Sequence, residues 1–265
     1  MPREWLRQER QQRIAEQLRV NGSLRVKDLA ARFGASDMTI RRDLADLEAA
    51  GVVKRVHGGA IAWKARTPFG ERSAISGAAK TTIARAVAAL IEPGECVMFD
   101  MGTTSYAVAC ELADRTGLFL ITNAVNTARE LTRGRNRVLL VGGFVHGHAP
   151  ELNIVGEIAC ETIRRFRADK LILGAGGITL EHGLMYFDVE EVDVRTAMLE
   201  SARTVIVASD HTKFGREDLV PLTPLSRADV VVTDAPPPES FRTYFAEHDV
   251  RVIVASDVDE EQVTA

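Results

Sequence analysis

The stretch "SDMTIRRDL", Ser36 to Leu44, decides how the first part of the chain is read. Ser36 is a good N-cap, and Asp37 puts an acid in the first turn, so a helix starts here. At about 100° per residue, Ile40, Leu44 and Leu47 define its buried side. Met38, Arg42 and Ala45 then point away from that side, with Thr39 and Arg41 flanking them. Asp43 falls nearer the buried side and is expected to be structural, bonding an arginine of an earlier helix. Two adjacent arginines on an outer face allow two readings. One is a solvated face of a small helical bundle. The other is a surface that reads something negatively charged.

Working outward favours the second. Upstream, Ile14 and Leu18 are spaced i, i+4 in a charged stretch that Asn21-Gly22 stops. Val26, Leu29, Ala30 and Phe33 then make an amphipathic stripe, with Gly34 as its C-terminal stop. Downstream, Gly51 closes the third helix. In "VVKRVHGGAIAW" two β-prone runs flank His57-Gly58-Gly59, a hairpin or wing. Helix, short turn, helix and hairpin in this order predict a winged helix-turn-helix. Its second helix enters the DNA major groove by its N-terminal residues. Arginine bonds guanine bidentately, and Thr or Met touches a thymine methyl. The predicted DNA-binding residues are therefore Ser36, Met38, Thr39, Arg41 and Arg42 on the helix. Lys54, Arg55 and His57 on the wing suit phosphates or an adjacent groove.

Charge agrees. Of the 33 basic and 37 acidic residues, 13 and 8 lie within residues 1–64, leaving 20 and 29 in the remainder. A basic segment on an acidic body points to an anionic partner, here double-stranded operator DNA, for the segment alone. With 46% hydrophobic and 26% charged residues the chain reads as a globular protein. No run of about 18 uncharged apolar residues predicts a membrane span. The charged start "MPREWLRQERQQR" is no secretory signal. Cys96, Cys110 and Cys160 are odd in number and widely spaced. They read as free thiols in a reducing cytoplasm.

"KARTPFGERSAISGAAK" mixes Pro, Gly, Ser and charge, which places a linker at residues 65–75 between a domain of residues 1–64 and a body of residues 76–265. In the body, apolar runs "CVMF", "LFLI", "RVLLV", "KLILG", "TVIVA", "VVVT" and "RVIVA" are separated mostly by helical stretches. This predicts an α/β domain with a parallel, Rossmann-like sheet. Ligands of such sheets bind beyond the C-terminal strand ends. Here those ends carry "DMGTTS" (Asp100 to Ser105), Thr122-Asn123, Gly142-Gly143, "GAGGIT" (Gly174 to Thr179) and "SDHTKFGR" (Ser209 to Arg216). In "DMGTTS", Gly102 is expected to permit a tight turn. Thr103, Thr104 and Ser105 offer hydroxyls and free N–H groups at a helix N-terminus, an anion site suited to phosphate. The plain alternative is a capped helix after a strand. Lys213 is a candidate second phosphate contact, and Lys80 a further one; a surface lysine is the alternative. In "FDVEEVDVR", Asp188 or Glu191 suits hydroxyl recognition, with Arg195 closing on ligand. Otherwise Glu191 and Arg195 form a surface i, i+4 pair. His146 and His148 ("HGH") lack a third ligand pattern and are expected to be loop residues, so no metal and no cofactor are predicted.

These motifs carry a resemblance. "SDMTIRRDL", with Arg10, Ile14 and Leu18 before it and "RVHGGA" after it, resembles the signature of the DeoR-type (deoxyribonucleoside-operon repressor) family of bacterial transcription regulators. Arg25 departs from it, standing where the family has a Ser or Thr cap. Phe69, Arg72 and Lys80 match its inter-domain pattern. "DMGTTS", "VGEIACETIRRFRADKLILGAGGI", "FDVEEVDVRTAM" and "DHTKFGR" resemble its effector domain, so the likeness runs from about Glu9 to Val250. It implies a sugar-phosphate-isomerase-like fold, and a homodimer or homotetramer that represses a carbohydrate or polyol catabolic operon. It implies as effector a phosphorylated sugar or polyol, held by Asp100, Gly102, Thr103, Thr104, Asn123, Gly142, Gly143, Gly174, Asp188, Glu191, Arg195 and Lys213. "DHTKFGR" and "TDAPPP" resemble the glycerol-3-phosphate repressor branch. Gly176 departs again, where many members and the isomerases have an acid. The rival reading is a sugar-phosphate isomerase with an appended nucleic-acid-binding domain. It needs a carboxylate base, and Gly176 removes the obvious one.

Overall fold

The computed structural model describes residues 5–21, 23–49, 53–56, 58–62, 69–148 and 151–255. In the N-terminal part, α1 (Arg7–Asn21) buries Ile14 and Leu18, and β1 (Ser23–Arg25) follows. α2 (Val26–Phe33) buries Val26, Leu29, Ala30 and Phe33, the predicted stripe, and Gly34 ends it at φ 60°. α3 (Asp37–Ala49) buries Ile40, Leu44 and Leu47. β2 (Val53–Val56) and β3 (Gly59–Ala62) pair as the predicted hairpin. Their apolar side chains form one core, with Trp5 packed on it edge-on to Phe33. Gly51 and His57 lie outside the described residues.

β1 has no counterpart in the sequence reading, because three residues are too few to show an alternation. It pairs antiparallel with β3, Leu24 opposite Ala60 and Arg25 opposite Gly59. Gly59 makes this approach possible, since a Cβ there would stand 2.3 Å from the Leu24 carbonyl oxygen. The same pairing answers the missing cap on α2. Arg25 makes no side-chain cap bond, but the Val26 N–H donates to the Gly58 carbonyl at 2.9 Å. Asp43 is buried, as expected. It accepts from Arg10 Nε at 2.5 Å and Nη2 at 3.2 Å, which locks α3 to α1.

The chain divides into two compact units between Thr67 and Pro68. The second begins with α4 (Phe69–Ala74), inside the stretch expected as a linker. There Phe69 packs edge-on against Tyr106. It continues through α5 (Gly77–Ala89), β4 (Cys96–Phe99), α6 (Thr103–Leu112), β5 (Phe119–Thr122), α7 (Val125–Leu131) and β6 (Arg137–Leu140). β7 (Phe144–His148), β8 (Glu151–Val155), α8 (Glu157–Arg164) and β9 (Ala168–Leu173) follow. Then come β10 (Gly177–Thr179), β11 (Gly183–Tyr186), α9 (Val192–Ser201), β12 (Ala202–Ala208) and β13 (Val220–Thr223). β14 (Val230–Thr233), α10 (Glu239–Glu247) and β15 (Arg251–Val254) complete it.

The seven apolar runs form a parallel sheet in the order β15-β14-β12-β9-β4-β5-β6. Alternate side chains face opposite layers, as the strand period of two requires. Val97, Phe99, Leu120, Ile172 and Ile206 pack with α5 and α6. Met98, Ile121, Leu171, Val205 and Val207 pack with α8, α9 and α10. The chain steps outward from β4 to β6, returns to β9 beside β4, and then steps the other way. The sheet therefore reverses between β4 and β9, and a ligand crevice belongs at their C-terminal ends. Two smaller sheets flank this frame: the β7–β8 ribbon and the antiparallel β10-β11-β13 sheet.

Asp43→Ala leaves Arg10 half-buried without its carboxylate, with only the Trp5 carbonyl among the described residues to accept from it, and is expected to lower stability by about 3 kcal/mol. Urea denaturation followed by Trp fluorescence checks this, since Trp5 lies on the same core.

Candidate functional site

In the first unit the outer face of α3 carries the residues of interest. Ser36 Oγ accepts from the Thr39 N–H at 3.2 Å and shares a hydrogen bond with Thr39 Oγ1 at 2.9 Å. These two therefore cap the helix and position its first turn. Met38 is 71% exposed, and Arg41 and Arg42 are exposed beside it. Neither arginine makes a hydrogen bond or ion pair among the described residues. Arg55 differs from its sequence reading as a free phosphate contact. Its Nε lies 2.6 Å from Glu48 Oε2, and its N–H donates to Glu48 Oε1 at 2.8 Å. It fastens the hairpin to α3. The Lys54 side chain and His57 lie outside the described residues.

In the second unit Asp100 follows β4 directly and is fully buried. Its N–H donates to Ile172 O at 3.1 Å, bridging β4 to β9 at the reversal point. Its carboxylate accepts from the Ser105 hydroxyl, from the Gly174 N–H and, at 3.4 Å, from Arg195 Nε. Burial pushes the Asp100 carboxyl up, against the pull of Arg195 and Ser105. Arg195 is itself 1% exposed. Nη1 donates to Glu191 at 3.0 Å and Nη2 to the Met101 carbonyl at 3.2 Å, with the guanidinium 4.0 Å from the Tyr186 ring centroid. Burial alone would lower its pKa, but Glu191 and Asp100 raise it. Tyr186 donates to the Gly174 carbonyl. Glu191 also accepts from Asn153 Nδ2 at 2.9 Å.

Two parts of the sequence reading of Glu191 and Arg195 therefore need correction. The pair is no surface bridge, because both side chains are buried and Glu191 also accepts from Asn153 of the ribbon. Nor does Arg195 stand ready to close on a ligand, since all three guanidinium nitrogens already donate. It frames the rim instead.

α6 begins at Thr103, and its first intrahelical bond is Tyr106 N–H to Gly102 O at 2.9 Å. The N–H groups before it have no helical partner. The Thr103 and Thr104 hydroxyls make no hydrogen bond among the described residues. Gly102 has φ 178°, extended backbone open to any residue, so the tight turn expected of it is not what requires a glycine. Gly143 serves packing, since a Cβ there would meet Val155 O at 2.7 Å, and Gly142 has open space around it. Asn123 donates to Ile154 O at 2.9 Å, and its buried Oδ1 has no donor among the described residues.

The lysines differ in setting. Lys80 is buried and donates to the Arg72 and Ile75 carbonyls. Burial lowers its pKa to about 8, with Asp210 opposing and Lys213 and Arg72 reinforcing. Lys213 is half-buried and also lowered by burial, with Asp210 opposing. Both lysines feel Asp210, and burial draws both toward the neutral form.

His146 and His148 lie on β7, not in a loop. His146 Nε2 is 2.8 Å from Asp188 Oδ2, and Nδ1 is 2.9 Å from Glu190 Oε2. Burial opposes the charged imidazole, but Asp188 and the two glutamates raise its pKa overall. The sequence reading missed Asn153, Tyr186 and Asp218. Asn153 is a polar residue inside the apolar run "LNIV", which is a legible signal. Asp218 has none. Its carboxylate fills the space beside Gly176, where a Cβ would stand 2.3 Å from Oδ2.

Residues 10–66 match the DeoR-like helix-turn-helix domain, and residues 76–235 match the DeoR C terminal sensor domain. The chain is 36% identical to the glycerol-3-phosphate regulon repressor of Escherichia coli (strain K12), over 90% of this chain and 95% of that one. It is 38% identical to the transcriptional repressor AccR of Agrobacterium fabrum, over 86% and 90%. Among solved structures, ribose 5-phosphate isomerase A of Methanocaldococcus jannaschii aligns with 52% of this chain and 55% of that one. The identity is 14% and the TM-score 0.39, a likeness too slight to bear on chemistry.

Arg195→Ala is expected to cost about 3–5 kcal/mol, because it strands two buried carboxylates. Arg195→Lys recovers only part, having no fork to serve three acceptors. Urea denaturation measures both; a loss below about 1 kcal/mol, the scale of an exposed pair, contradicts the buried network.

Proposed function

The chain belongs to the DeoR family of transcription regulators, and on that premise we propose how it reads DNA and what it senses. It is a DNA-binding regulator rather than an enzyme, in keeping with relatives named as repressors. No described helix is long and apolar enough to cross a membrane. A repressor bound to the chromosome works in the cytoplasm.

α3 lies in the major groove, with Arg42 and Met38 on base edges and Arg41 and Thr39 beside them. Ser36 fixes the first turn, Lys54 and His57 meet the backbone or the adjacent groove, and Arg55 holds the hairpin that carries them. Two-fold operators call for a symmetric dimer or tetramer. The effector is a phosphorylated sugar or polyol. Its phosphate takes the free donors of Thr103 and Thr104, balanced by Lys213 and Lys80. Its hydroxyls take the unpaired oxygen of Asn123 and the carboxylates of Asp188 and Glu191. Asp100, Gly174 and Arg195 hold the frame, Gly102 leads into the α6 donors, Gly143 packs against β8 and Gly142 leaves space at the rim. One observation carries this reading: unbonded hydroxyl and N–H donors at the α6 N-terminus, beside the reversal between β4 and β9. The glycerol-3-phosphate repressor among the relatives makes glycerol 3-phosphate the first probe. By this reading the effector acts through differential affinity for operator-competent and incompetent states.

A gel shift with DNA from upstream of the gene, titrated with glycerol 3-phosphate and other phosphorylated sugars, tests the whole reading. Equal binding to operator and random duplex at physiological salt contradicts it. Arg42→Ala should cost about 1–3 kcal/mol and relax preference at one base position. An equal loss on every sequence makes Arg42 a phosphate contact instead. Thr104→Val should bind operator normally but respond weakly to effector. An unchanged response removes "DMGTTS" from the site.

A further inference from the structure

His146 is held from both ring nitrogens, Nε2 by Asp188 and Nδ1 by Glu190. A neutral imidazole has one N–H and one lone pair. Both nitrogens face carboxylate oxygens at hydrogen-bond distance, so one contact needs a cation between acceptor and acceptor. A second proton is one such cation. A metal ion is the other, and three observations favour it.

The first is geometry. His146, Asp188 and Glu191 each bring a ligand atom to within 4.8 Å of the others, from three different places in the chain. Their burial differs from a solvated acidic cluster: Glu191 is buried and the other two are half-buried. The second is charge. Asp188 and Glu190 both reach His146, and Glu191 brings a carboxylate oxygen within 4.8 Å of the His146 and Asp188 ligand atoms, so three carboxylates gather at one imidazole. The third is an orphaned atom. Asn153 stands opposite His146 in the β7–β8 register. It donates Nδ2 to Glu191, while its buried Oδ1 has no hydrogen-bond partner among the described residues. A metal-bound water is a donor of the kind that oxygen lacks.

We propose that His146, Asp188 and Glu191 bind a divalent first-row transition cation. One imidazole with two carboxylates is a mixed N/O set, which suits Mn²⁺ or Zn²⁺ better than the all-oxygen cations Mg²⁺ and Ca²⁺. Glu190 accepts from Nδ1–H and so turns the Nε2 lone pair toward the ion, the arrangement by which an outer carboxylate orients a metal-bound histidine. Asn153 and Arg195 orient Glu191 in the same way. Three protein ligands leave coordination positions for water or for hydroxyls of a bound ligand. Asp188 and Glu191, assigned above to effector hydroxyls, then meet those hydroxyls through the ion, while metal binding itself does not depend on which sugar or polyol is sensed.

The test uses the full chain, stripped with a chelator and titrated with Mn²⁺, which has little affinity for the three free cysteines. Calorimetry should show one Mn²⁺ per chain. Electron spin-echo modulation should show ¹⁴N coupling from a single imidazole. His146→Gln should abolish that coupling, and both His146→Gln and Asp188→Asn should weaken binding about tenfold or more. Absence of saturable binding in the millimolar range overturns the proposal. So does wild-type binding without ¹⁴N coupling, or coupling that survives in His146→Gln. The wild-type spectrum decides alone if a variant fails to fold.

Discussion

The second unit depends on one buried cation. Arg195 reaches from α9 to the carboxylate after β4, to the Met101 carbonyl and to Glu191, and it lies over the Tyr186 ring. An arginine this deep is costly unless every donor is matched, and here each nitrogen is. The consequence is geometric. The C-terminal end of β4, the β10–β11 hairpin and the first turn of α9 are held to one centre, so the rim has a fixed shape before anything binds. A site built this way does not spend binding energy on ordering its walls.

The chain uses its arginines in two ways, and the contrast separates structure from function. Arg10, Arg55 and Arg195 have carboxylate partners and join elements within their own units. Arg41 and Arg42 have exposed heads and no ion pair among the described residues, on a helix whose other side is fully packed. Long cations left unpaired on a rigid helix suit an anionic surface met from outside. The Ser36–Thr39 cap fixes where that helix begins, and Glu48–Arg55 fixes the hairpin against it.

Much of the frame was legible because it rests on local periodicity. Ile40, Leu44 and Leu47 phased α3 correctly, and seven apolar runs became the seven strands of the parallel sheet. Asp43 was assigned its structural role from its angular position alone. What stayed hidden depends on contacts distant in sequence. β1 exists only because β3 pairs with it. The β7–β8 ribbon is interrupted by glycine and reads as loop, so His146 gave no hint that Asp188 and Glu191 would join it from about forty residues onward. Glu191 and Arg195 looked like an exposed helix pair because spacing says nothing about what covers a helix. Gly102 misled in the opposite direction, since its type suggested a turn that its backbone does not make.

The central claim is that one chain couples a phosphate-binding rim to DNA reading. Coupling of this kind is reciprocal: whatever factor the effector imposes on operator affinity, operator must impose on effector affinity. Calorimetric titration of glycerol 3-phosphate into the protein, alone and saturated with operator duplex, measures that factor directly. The account predicts that operator shifts the effector Kd by about 5–150-fold, matching the effect of effector on DNA binding. An effector Kd that is the same with and without operator contradicts it.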